Sequence, residues 1–167
     1  LDFQLTNDFK QFEQLEGWKL NYSGRHFDNV AQLIPSTLLF EETIEPYEIT
    51  KELFYKEECF CLNGITDPLA SIFFTLSRME EYLSDEKDNL GRFTGKNSLL
   101  YQYNWHEKAM CDRWSVDFLY FLKDRCQLKW HPKLSLVESI ATFDIDNAFA
   151  YLHKNMLRTQ LATAKDL

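Results

Sequence analysis

Glycine and proline are scarce, 5 and 4 in 167 residues, which excludes collagen-like and linker-like chains. Cationic runs are missing as well. Asp and Glu number 26 against 18 Lys and Arg, for a formal net charge of −8. That balance repels phosphate backbones and anionic lipid, so nucleic acid is excluded as a partner; a solvated acidic surface accounts for the charge by itself. No apolar stretch approaches the ~20 residues that cross a bilayer, so no membrane span is expected. No charged segment, apolar segment and cleavage site follow one another at the start, as a secretory signal requires. Cys59, Cys61, Cys111 and Cys126 have neither C-x-x-C redox spacing nor zinc-knuckle spacing. Buried free thiols are the expectation, and with them a reducing, cytoplasmic compartment is favoured over an oxidising one.

What is present is core-forming material. Apolar residues make up 45% of the chain and aromatics 16%, enough for a packed globule of this length. Leu1, Phe3 and Leu5 alternate with polar residues as in a half-buried strand, and Phe9 to Leu15 suits a short helix. Lys19 to Tyr22 and Glu52 to Leu62 read as strands, with Cys59 and Cys61 on one face of the second. Ile34-Pro35 and Glu45-Pro46 mark breaks, leaving Ser36 to Glu42 as a short extended piece.

The clearest helix starts at Asp67, an N-cap residue followed by Pro68 at the position where a missing N–H costs nothing. Leu69, Ile72, Phe73, Leu76 and Leu83 then recur at helical spacing. Residues 85 to 97 read as a loop, and a second helix spans about Cys111 to Cys126, with Trp114, Phe118, Phe121 and Leu122 as its apolar stripe. The pattern predicts an α+β domain over residues 1–135, a small sheet with two main amphipathic helices. A second unit over residues 136–167 opens with the strand-like run Ser139 to Asp146.

Asp144 and Asp146, two apart on a strand, would leave one face with Cα atoms roughly 6.5 Å apart. Two carboxylates so placed suit a hard cation, or a division of work between base and ligand. From spacing alone the commoner arrangement is that Asp146-Asn147 caps a following helix while Asp144 pairs with a neighbouring cation. Arg78 and Glu81 stand one turn apart, as an ion pair requires, with Arg92 and Phe93 in the following loop. They form either a contact surface for a sugar or a further domain, or a solvated face. Trp18, Trp105 and Trp130 are candidate sugar-stacking residues, whereas Trp114 belongs to the helix stripe and the core. His26, His106 and His131 lie among loop-like residues, and His153, seven after Asp146, suits a surface or capping role better than ligation.

The run Thr142-Phe143-Asp144-Ile145-Asp146 resembles the first motif of the NodB-type polysaccharide deacetylases, usually Thr-Phe-Asp-Asp. With Asp67 to Tyr82, Leu90 to Phe93 and Thr142 to Tyr151, the chain is similar to deacetylase-like proteins of Bacteroidetes type that carry an uncharacterised N-terminal domain. The resemblance implies that residues 136–167 open a truncated barrel-like deacetylase domain, with the rest of its catalytic parts beyond Leu167. It implies Asp144 as general base and Asp146 as ligand of a zinc-like divalent metal. It also implies an acylated glycan as substrate and the downstream domain as partner of residues 1–135. In that family a His-x3-His pair completes the metal site, and the cation acts as the Lewis acid that lowers the pKa of the attacking water. Here Ile145 separates aspartates that are adjacent in the family motif, and no His-x3-His occurs. The chain as it stands is therefore expected neither to hold a metal tightly nor to hydrolyse an amide. The competing class is a non-enzymatic module that binds carbohydrate or protein.

Overall fold

The computed structural model describes residues 3–129 and 139–142, and contacts divide the chain into two units, Leu1–Pro132 and Lys133–Leu167. The first unit is α+β, as the sequence pattern predicts. Of the second, residues 139–142 are exposed and irregular, and the remainder of the expected barrel strand lies outside the described residues.

Helix α1 (Phe9–Gln14) is short and buries no residue; the Asp8 carboxylate caps it by accepting from the Lys10 and Gln11 amides. Strands β1 (Leu20–Tyr22) and β2 (Ala31–Leu33) pair in parallel, Leu20 beside Ala31. Only eight residues connect them, fewer than the dozen or more that a parallel crossover usually needs. A polar knot holds this connection. The buried Asn21 amide donates to the Arg25 carbonyl and to Gln32 Oε1, Ser23 Oγ donates to Asn21 Oδ1, and the Gln32 amide donates to the Ser23 carbonyl.

Strands β3 (Ile49–Leu53), β4 (Glu58–Leu62) and β5 (Ile65–Thr66) form an antiparallel sheet with β4 in the centre. The β4–β5 turn is Asn63-Gly64, both at positive φ (48° and 82°), as a two-residue hairpin of matching twist demands. Cys59 to Leu62 are all buried, so β4 is covered on both faces.

Helices α2 (Pro68–Leu76) and α5 (Met110–Arg125) pack on one another, and α2 packs on β4. Between them, α3 (Met79–Leu83) and α4 (Leu99–Gln102) border an otherwise irregular stretch. The core is aromatic. The Phe60 ring meets Phe74, Trp105 and Trp114 at centroid distances of 5.6, 5.7 and 5.3 Å. Edge-to-face and tilted contacts of this kind add to the burial energy of the rings themselves.

Several expectations are corrected. Phe3 and Leu5 are exposed and irregular, because nothing among the described residues pairs with them. Glu52 to Leu62 is a hairpin in place of one strand, turning at residues 54–57 where the Phe54 amide donates to the Glu57 carbonyl. Ser36 to Glu42 holds a 3-10 turn at Thr37–Phe40, which buries Leu38. The first main helix breaks at Arg78, whose φ of 55° is left-handed. Its buried face is Ala70, Ser71 and Phe74, whereas Phe73 and Leu76 are 45% and 71% exposed. Two small residues let α2 approach β4, and Ser71 Oγ accepts from the Phe60 amide there at 3.1 Å. On α5 the buried line is Met110, Trp114, Asp117 and Phe121, with Phe118 and Leu122 half-buried beside it. Trp105, a candidate for sugar stacking, is core.

Candidate functional site

The carboxylates near the start of the helical region are held by donors. Asp67 is completely buried; its Oδ1 accepts from the Leu69 and Ala70 amides at 3.0 and 3.1 Å, capping α2. Its Oδ2 accepts from Tyr22 Oη at 2.7 Å and from the Ser36 amide at 2.8 Å. One side chain thus ties β1, the turn after β2, and α2 together. Four donors and the positive end of the helix compensate the buried charge. Burial raises the Tyr22 phenol pKa, and the Asp67 carboxylate beside it raises it further.

Arg78 and Glu81 are joined as expected, through two parallel bonds of 2.6 Å from Nε and Nη2 to the two carboxylate oxygens. These bonds hold the Arg78 guanidinium in its charged form. Lys87 donates to the Glu81 carbonyl and stands 5.9 Å from the Phe93 ring, which brings Phe93 to the same neighbourhood. Arg92 belongs to a different contact. Asp88 accepts from the Arg92 amide, the Arg92 guanidinium and the Leu90 amide, and the Arg92 donors hold its carboxyl below the usual range. Glu80 is half-buried, which raises its pKa, while the Leu99 amide that it accepts from opposes the shift. These polar residues brace the chain around α3 and the following loop.

Asp144 and Asp146, the expected base and metal ligand, lie outside the described residues, as do Trp130, His131 and His153. Among the described residues no three His, Cys, Asp or Glu side chains converge as metal ligands would. The four thiols are free.

A second feature has no local signature in the sequence. The segments 17–19, 28–32 and 121–127 enclose a cleft of about 780 Å³. Ala31 and Phe121, both buried, and Trp18, 63% exposed, are among its lining residues. Gly17, Asn29 and Gln127 on its walls all have positive φ (93°, 57° and 52°). For Gln127 this backbone costs roughly 1–2 kcal/mol, because Cβ crowds a carbonyl oxygen, whereas Asn29 is of a type that tolerates it. The Cys126 thiol reaches the Lys19 carbonyl at 3.9 Å, linking the end of α5 to the start of β1. Of these residues the sequence offered only Trp18 as a ligand contact, with Phe121 read as part of a helix stripe and Cys126 as a free thiol. The remainder come together only when the three segments fold.

Residues 1–132 are thus an α+β unit with a braced polar loop and a separate open cleft. The chain belongs to DUF7033, a family of unknown function, whose model matches residues 1–127. No curated protein and no solved structure matches it. No helix among the described residues is long and apolar enough to cross a membrane.

Proposed function

We propose that residues 1–135 are the accessory region of a metal-dependent, polysaccharide-deacetylase-like protein whose catalytic domain opens within residues 136–167. The observation that supports this reading is where the carboxylates of the resembling stretches are engaged. Asp67, Glu80 and Glu81 all accept hydrogen bonds from the protein itself, so they act as braces, as does Asp88 between the first two stretches. The resemblance of the Thr142 to Asp146 run implies Asp144 as general base and Asp146 as metal ligand. A divalent, zinc-like cation would supply Lewis acidity there, and the substrate class is an N-acetylated or otherwise acylated glycan.

The test extends the reading frame past Leu167 and measures acetate release from acylated oligosaccharides with and without chelator. Chelator-sensitive release is expected, reduced about 10²- to 10⁴-fold by Asp144→Asn. Asp146→Ala should abolish metal binding in the same protein. Metal affinity that survives Asp146→Ala would remove the ligand role. Absence of any metal-dependent deacylation would remove the reading as a whole. The second reading, a non-enzymatic module that binds carbohydrate or protein, is favoured by the open cleft beside Trp18.

A further inference from the structure

We propose that the cleft beside Trp18 binds a short oligosaccharide, with one pyranose ring stacked on the indole. The proposal rests on the second reading above, to which it gives a place and a mode of recognition. Three properties of the cleft select this ligand class.

The first is an apolar ring face in a polar surround. Trp18 is largely exposed, while Asp28, Asn29, Arg125 and Gln127 stand on the same walls. A sugar ring offers the matching pair, C–H groups on its face and hydroxyls around its rim. A wholly apolar ligand would leave the polar wall groups without partners.

The second property is that these groups are unspent. Among the described residues, no hydrogen bond joins the side chains of Trp18, Asn29 or Gln127 to the protein, and Arg125 has no carboxylate partner. The Arg125 guanidinium instead lies over the Phe121 ring, 5.7 Å from its centroid. Asp28 has only a 3.6 Å contact with His26, both of them strongly exposed. This contrasts with Asp67 and Asp88, whose acceptors are engaged. Planar amides, a carboxylate and a guanidinium are the groups that pair with vicinal hydroxyls in two directions at once.

The third property is size and charge. A cleft of about 780 Å³ falls within the range for a small ligand, and it is concave where a protein partner meets a broad surface. Its charged side chains are Lys19, Arg125 and Asp28, too few cations for a phosphate backbone in a chain of net charge −8. The left-handed residue Gln127 fits a wall whose shape is kept at a cost in backbone energy.

The test titrates the 167-residue chain with a chitotetraose, a cellotetraose and a tetrameric oligouronate. It follows the tryptophan indole N–H resonances by heteronuclear NMR and the affinity by calorimetry. Trp18→Ala assigns the Trp18 signal and, at an exposed position, leaves the melting temperature near that of the parent. At least one saccharide is expected to move the Trp18 resonance, and Trp18→Ala to weaken its binding tenfold or more, with Trp18→Phe in between. Binding of the oligouronate alone, lost in Arg125→Gln, would assign a carboxylate to the guanidinium. Binding of a neutral oligomer would assign its hydroxyls to the amide side chains. If no saccharide moves the Trp18 signal at millimolar concentration, or if affinity survives Trp18→Ala, the proposal is overturned. The assay contains no metal and reads no hydrolysis, so its outcome is independent of the deacylation test.

Discussion

Asp67 and Asp117 are the two buried acids among the described residues, and both make their contribution through backbone amides. Asp117, on α5, accepts from the Lys56 amide at 3.0 Å and the Glu57 amide at 3.2 Å, which fixes the β3–β4 turn to the helix. The neighbouring Trp114 indole donates to the Glu58 carbonyl at 2.7 Å, and Arg113 pairs with Glu57, so one side of α5 grips one turn. Asp67 has more to lose. Its removal orphans the buried amides of Ser36 and Ala70 and the part-buried donors of Tyr22 Oη and Leu69. Asp67→Ala is expected to cost about 3 kcal/mol, from unsatisfied buried donors and a lost cap. Asp67→Asn should cost less, because Oδ1 can still cap α2 and the amide –NH₂ can donate to Tyr22 Oη, leaving the Ser36 N–H as the one opposed donor. Urea denaturation of both variants checks this. A loss below about 1 kcal/mol for Asp67→Ala would show that the convergence on Asp67 adds little to stability.

Among the elements, α1 is the least anchored. It has six residues, buries none, and is held through the Phe9 and Phe12 rings, 6.0 and 5.1 Å from Phe27, with the Arg25 guanidinium 3.8 Å from the Phe9 centroid. A helix this short is not stable by itself, so its stability is that of these contacts. Hydrogen exchange should therefore find the α1 amides opening well below the global unfolding energy, while β4 amides exchange only with it. Phe27→Ala should remove the remaining α1 protection and change global stability by under about 1 kcal/mol; β4 amides that loosen equally would show that α1 belongs to the main cooperative unit. The elements also divide by how legible they were. The start of α2 was readable, because N-cap and first-turn chemistry is local to Asp67-Pro68. Its buried face was not, because the larger apolar residues Phe73 and Leu76 set the periodicity while small Ala70 and Ser71 make the close approach to β4. The β4–β5 hairpin carried a local clue in Asn63-Gly64, but the β3–β4 turn depends on Asp117, sixty residues away, and no window of sequence contains both. The Arg78–Glu81 pair was legible for the same reason as the cap, being three residues apart. The cleft, assembled from three distant segments, was not.

At the scale of the whole unit, the aromatic and thiol-rich core sets how stability depends on pH. Cys59 on β4 is pushed up to about 12 by burial, and burial also raises Cys111 and Cys126. The Tyr22 phenol is raised by burial and by Asp67, and Tyr47 is raised to about 12 by burial and by the nearby Glu41 carboxylate. Each of these groups holds its proton more tightly folded than unfolded. Their stabilisation is fully present below the unfolded-state values, about 9 for the thiols and 10 for the phenols, and is lost as pH rises from there towards the folded-state values. One proton of difference corresponds to about 1.4 kcal/mol per pH unit. The unfolding free energy is therefore expected to be flat from pH 7 to 8.5, to fall by about one to two protons' worth between pH 9 and 10, and to fall more steeply above 10. Cys59→Ala, less stable at pH 7 for its lost volume, should have the shallower slope between pH 9 and 10, while Tyr22→Phe should reduce the slope only above 10. Urea titrations at half-unit intervals from pH 7 to 11 separate the two. A parent curve that stays flat to pH 11 would mean that the Cys59 thiol meets more water in solution than its cluster with Phe60, Phe74 and Trp114 allows, and the Tyr22 phenol more than its contacts with Asp67 and Phe40 allow.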